Sequence, residues 1–157
     1  MKRLLLPAVA LLFAGCGGGS NTANPPAVSP AVSQAPALVF PMAGVGAANA
    51  GITGTVTIQK HSDGQGFTIT IDLKGMVPNT VHISHIHKGS CADNGAIAIP
   101  LPNSLMADAS GHATATNEVA SPYPGTGFYA NVHTGPDLSS AANAAPCACG
   151  DLADAAP

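Results

Sequence analysis

Tryptophan is absent from this 157-residue chain, and aromatic residues of all kinds make up only 4% of it. Any core must therefore be assembled mainly from aliphatic and β-branched side chains, which favour strands. Charge is scarce too: 8% of residues are Asp, Glu, Lys or Arg, and the formal net charge is −3. No basic patch is available for a phosphate backbone, which excludes nucleic acid as an expected partner. Helical periodicity is missing over any useful length. The few carboxylates fall mostly in turns, without a paired-carboxylate, Ser/His/Asp or phosphate-loop pattern. Ser84 beside His85 is no nucleophile–base pair, because neighbours on a strand face opposite sides.

Long apolar runs are also lacking, apart from one near the start. Met1-Lys2-Arg3 precedes the apolar stretch from Leu4 to Phe13. That run has the length of a signal-peptide h-region and is too short to span a bilayer. It ends in Leu12-Phe13-Ala14-Gly15-Cys16, which resembles the bacterial lipobox, with Phe13 where leucine is usual. The expectation is a lipoprotein signal peptide at residues 1–15 and lipidation of Cys16. The protein would then sit in the cell envelope, held to a membrane by that lipid. Gly17 is not an inner-membrane retention aspartate, so a Gram-negative host would place it at the outer membrane or its periplasmic face. Residues 16–36 continue as a Gly/Ser and then Pro/Ala/Ser tether that cannot bury a core.

Residues 37–157 are expected to form one β-domain. Gly54 to Gln59 and Phe67 to Leu73 alternate apolar and polar residues around the turn signal Ser62-Asp63-Gly64-Gln65-Gly66, which predicts a hairpin. Further strands are expected at Val81–His87, Ala96–Ile99, His112–Thr116, Phe128–His133 and Ala148–Leu152. Short strands separated by turns predict an all-β antiparallel sandwich or barrel.

The densest chemistry lies in Val81-His82-Ile83-Ser84-His85-Ile86-His87. On a strand, His85 and His87 project from the same face, and neutral imidazole suits copper or zinc. His133, in a second strand pattern, could complete the set across the sheet. His61 reads as a solvated hairpin residue. With Cys16 committed to lipid, Cys91, Cys147 and Cys149 remain, an odd number in an oxidising compartment. One disulfide and one spare thiol is the simplest count. Cys147 and Cys149 are poorly placed to bridge each other, though they could also hold a soft metal such as Cu(I).

The segments Gly54-Thr55-Val56-Thr57, Leu73-Lys74-Gly75, His82-x-x-His85-x-His87-x-Gly89-Ser90-Cys91, Val132-His133 and Ala148-Cys149-Gly150 together resemble bacterial copper/zinc superoxide dismutases. The resemblance covers roughly residues 51–152. It implies a Greek-key β-barrel of eight strands, copper on His85, His87 and His133, and a disulfide between Cys91 and Cys149. It also implies that His82 braces the site, and that the reaction is conversion of superoxide to oxygen and hydrogen peroxide. Two features depart from that family. The loop that carries its zinc ligands is reduced to Ala92-Asp93-Asn94-Gly95, so zinc is not expected. The arginine that draws the superoxide anion is missing, its place falling at Pro146. A second resemblance, carried by Asn94-Gly95-Ala96-Ile97-Ala98-Ile99-Pro100-Leu101 and Tyr129-Ala130-Asn131-Val132-His133-Thr134, is to chordin-type (CHRD) domains. These share the dismutase-like fold and lack the zinc loop. Three readings follow: a copper-only dismutase-like enzyme, a non-catalytic copper-binding lipoprotein, or a CHRD-type interaction module. Small molecules, superoxide or copper ions, are the expected partners. Water, His82 or His112 would supply any fourth ligand.

Overall fold

In the computed structural model, residues 35–155 are described. The expected signal peptide, Cys16 and the tether up to residue 34 lie outside them.

The hairpin forms where alternation predicts it. Strands β2 (Thr53–Lys60) and β3 (Phe67–Lys74) pair antiparallel in continuous register from Thr53 opposite Lys74 to Lys60 opposite Phe67. Gly64 turns the chain at φ 70°, and Asp63 Oδ1 accepts a hydrogen bond from Gln65 N at 2.9 Å. Phe67, Ile69, Ile71 and Leu73 point inward and are fully buried, while Thr68, Thr70 and Asp72 lie on the outer face. Burial of each such apolar side chain stabilises the fold by about 1.5–3 kcal/mol relative to exposure. Val56 and Ile58 of β2 join the same core.

Six further strands complete the molecule: β1 (Leu38–Gly44), β4 (Val81–Lys88), β5 (Ile97–Met106), β6 (Ala113–Val119), β7 (Phe128–His133) and β8 (Pro146–Asp151). Their spatial order is β5-β4-β7-β8-β1-β2-β3-β6. β7 returns beside β4, and β6 lies beside β3, which are Greek-key connections. The two end strands meet at a seam, where Asn103 N on β5 donates to Asn117 Oδ1 on β6 at 2.7 Å. Asn117 is 1% exposed, so this contact also satisfies a buried acceptor. The sheet is thereby nearly closed, as the expectation of an all-β barrel or sandwich requires.

β1 was absent from the sequence expectation, and Pro41 in its middle explains why. Proline donates no ladder hydrogen bond, so it argues against an interior strand. Here β1 pairs along its length with β2 but meets β8 only at Ala43 and Gly44. Pro41 thus sits where β1 has one neighbour. The predicted strand Ala96–Ile99 is likewise longer, and its Pro100 and Pro102 are tolerated because β5 ends the sheet.

Candidate metal centre

β4 and β7 lie side by side, with His85 opposite Asn131 and His87 opposite Tyr129. Alternation then assigns the faces. Ile86, Ala130 and Val132 enter the core, each fully buried. His85, His87, Tyr129, Asn131 and His133 share the other face. A loop (residues 89–96) and the segment 134–145, with its short helix α1 (Ala141–Ala144), border this face, so its polar residues are buried as well. Above them lies a cleft of about 190 Å³ whose walls include His87, Asp93, Asn94, Asn131, His133 and Pro146.

The three histidines expected to hold metal come together. One nitrogen from each of His85, His87 and His133 lies within 4.8 Å of the others. Their ring centroids are 5.0–5.8 Å apart. Two tautomers are set by the backbone. His87 Nδ1 donates to Gly95 O at 2.8 Å, and His133 Nδ1 donates to Ala144 O at 2.7 Å. Each ring is then left with a lone pair on Nε2. The Nε2 of His87 is buried without any hydrogen-bond partner. His85 Nδ1, 3.0 Å from His133 Nε2, donates to it.

Burial favours the neutral form of His85 and His133. It pushes the pKa of His85 down to about 4, aided by repulsion from His133 and His87. Burial lowers His133 as well, against the opposing pull of the Ala144 carbonyl. Three imidazole nitrogens gathered within 4.8 Å, one of them orphaned, fit a borderline or soft cation.

His82 lies behind the cluster. Its Nδ1 donates to the carbonyl of His133 at 3.0 Å, and its Nε2 is 2.7 Å from Thr80 Oγ1. It braces the backbone of His133. His112 is placed elsewhere, with Nε2 2.9 Å from Asp72 Oδ2 at the start of β6. It is not part of the cluster. His61 faces Glu118 at 3.1 Å beside the hairpin and is partly exposed.

Cys91 and Cys149 form a disulfide with a Cα–Cα distance of 5.9 Å. It ties the loop after β4 to β8 beside the cleft. Cys147 is free and buried, its Sγ 3.4 Å from His133 O, and burial pushes its pKa up to about 11. The idea of a Cys147/Cys149 soft-metal pair is therefore corrected: Cys149 is spent on the disulfide, and Cys147 is held as a thiol.

Two residues of this face carried no role in the sequence reading. The hydroxyl of Tyr129 donates to Asp93 O at 3.0 Å and accepts from Gly95 N at 3.3 Å, holding the loop whose carbonyl orients His87. Asn131 places its amide nitrogen 3.3 Å from His133 Nε2. Counting back from His133 by twos would have marked both as cluster neighbours.

Fold and site define a Greek-key β-barrel domain with an outer-face histidine cluster able to take a metal ion. The CHRD domain family model matches residues 36–136, and the chain belongs to that family. The match spans β1 to β7 with all three histidines, and stops before β8 and its two cysteines. No model of the superoxide dismutase family matches. No curated protein matches the chain significantly.

Proposed function

We propose that this CHRD domain is a non-catalytic copper-binding module, carried at the cell envelope on a lipidated Cys16. Copper would be held by His85, His87 and His133. The convergence of their nitrogens within 4.8 Å, with the Nε2 of His87 buried and unpartnered, carries the proposal. Gly95 O and Ala144 O orient two of the rings, His82 supports the third ligand's backbone, and Tyr129 holds the loop. Outer partners of this kind fix tautomer and ring direction and add to metal affinity. Placement in the envelope would expose the cleft to external copper.

Copper-dependent removal of superoxide is the second reading, favoured by the cleft that opens onto His87 and His133. Bound copper would supply one-electron exchange with superoxide. The chain offers little to attract that anion, since its single arginine is Arg3. The first reading is therefore the stronger.

The test is to purify the exported chain, load it with Cu(II), and measure metal content and superoxide consumption. One copper per chain is expected, lost in the His85→Ala/His87→Ala variant, with no superoxide consumption left once EDTA silences free copper. Failure to bind stoichiometric copper would sink both readings. Consumption that persists in enough EDTA to silence free copper would select the second.

A further inference from the structure

Asn131 lies in the middle of the site. Across the sheet it is flanked by His85 on β4 and Cys149 on β8, and along β7 by Tyr129 and His133 on the same face. Its side chain is buried, with the residue 4% exposed. The amide nitrogen faces His133 Nε2 at 3.3 Å, and Oδ1 is buried with no hydrogen-bond partner. Leaving such an acceptor unmatched costs about 1–3 kcal/mol. The two orphaned atoms on this face, Asn131 Oδ1 and His87 Nε2, are both lone-pair donors, which is what a cation requires.

With Nδ1 donating to Ala144 O, His133 Nε2 is an acceptor, so the N–H end of the amide faces it. A cation on that lone pair would repel the N–H end. A half-turn of the amide puts Oδ1 in the same position. Donors each about 2.1 Å from a shared ion are roughly 3.0–3.4 Å apart at right-angle to tetrahedral geometry. The 3.3 Å separation from Asn131 to His133 falls in this range, as does the 3.0 Å from His85 to His133. The other candidates for a fourth protein ligand are engaged elsewhere: His82 with the His133 carbonyl and His112 with Asp72.

We infer that Asn131 supplies a fourth, oxygen donor to the ion held by the three histidines. The inference rests on the copper reading above. An amide oxygen is a weak axial type of ligand. Being hard, it favours Cu(II) over Cu(I), so Asn131 sets the oxidation state that the site prefers.

The experiment compares the full exported wild-type chain with Asn131→Leu and Asn131→Asp. Each is titrated with Cu(II) and, under reducing conditions, with Cu(I), and the Cu(II) forms are examined by electron paramagnetic resonance. Asn131→Leu should weaken Cu(II) by about tenfold or more, change the Cu(II) spectrum, and leave Cu(I) binding nearly unchanged. Asn131→Asp, a near-isosteric change that keeps an oxygen and adds charge, should tighten Cu(II) and shift the spectrum. Should Asn131→Leu fail to fold, Asn131→Asp decides alone. Wild-type affinity and spectrum in the folded variants would overturn the role of Asn131 and leave the copper site standing. A wild-type chain that binds no copper would overturn both.

Discussion

Single hydroxyl and thiol groups around the cluster have measurable roles. The Tyr129 hydroxyl bonds to Asp93 O and Gly95 N, and Gly95 O in turn fixes the His87 ring. Tyr129→Phe removes the hydroxyl and keeps the ring, which packs 5.2 Å from His87. Copper affinity should fall about tenfold, as for loss of other outer partners of metal ligands, while the thermal midpoint changes little; competition titration with a copper chelator checks this. Cys147 makes the opposite prediction. The residue is 2% exposed and its thiol is held protonated, so it should resist alkylation at pH 8 in the folded protein and react only after denaturation. Mass spectrometry after iodoacetamide treatment reads the outcome, and rapid labelling of the native chain would contradict the structure. Sequence made the three histidines and the same-face relation of two of them visible, because strand period 2 is local. The partner of Cys91 stayed open between two cysteines two residues apart, since only the register of β8 against β7 decides which one faces the loop.

Pairing between strands carries the next prediction. Asp72 on β3 accepts from His112 Nε2 at 2.9 Å and from Thr114 Oγ1 at 2.8 Å across the β3–β6 ladder. The His112 bond first, and then that from Thr114, hold the carboxyl below its ordinary value of 3.8. An acid lowered by folding contributes stability that is present above 3.8 and lost as pH falls through the lower folded value. Asp72→Asn should therefore melt at lower temperature than wild type near neutral pH, with the gap closing as pH is taken well below 3.8. Because both side chains are about two-fifths exposed, the effect should be small. Thermal melts across pH would show it, and a gap that widens on acidification would contradict it. At this scale the hairpin β2–β3 was legible from alternation and a Gly turn. β1 and the second half of β5 were not, because their prolines read locally as breaks and are permitted only by missing neighbours.

For the whole molecule, closure and anchorage matter. The Cys91–Cys149 disulfide joins residues 58 apart in sequence, a loop whose closure restricts the unfolded chain by about 4 kcal/mol in the chain-entropy picture. Replacing both cysteines with serine should lower stability by a large part of that amount in denaturant titrations and loosen the cleft wall enough to weaken copper. Cys16 belongs to the same scale. If it is lipidated, Cys16→Ser should abolish incorporation of labelled fatty acid and release the domain from membranes into the soluble fraction. Among the described residues no helix is long and apolar enough to cross a membrane.

From sequence alone came the all-β character, a barrel or sandwich built of short strands, the His-x-His face and the count of cysteines. These follow from composition and from patterns that repeat within a few residues. Tertiary structure decided which cysteine pairs, that His82 props the backbone of His133, that His112 serves Asp72, and that Asn131 stands beside His85 and His133. Each of these depends on register between strands far apart in the chain, and on loop carbonyls whose direction no local pattern encodes. His87 and His133 keep Nε2 free to accept only because the carbonyls of Gly95 and Ala144 are brought beside their Nδ1 atoms by the nearly closed barrel.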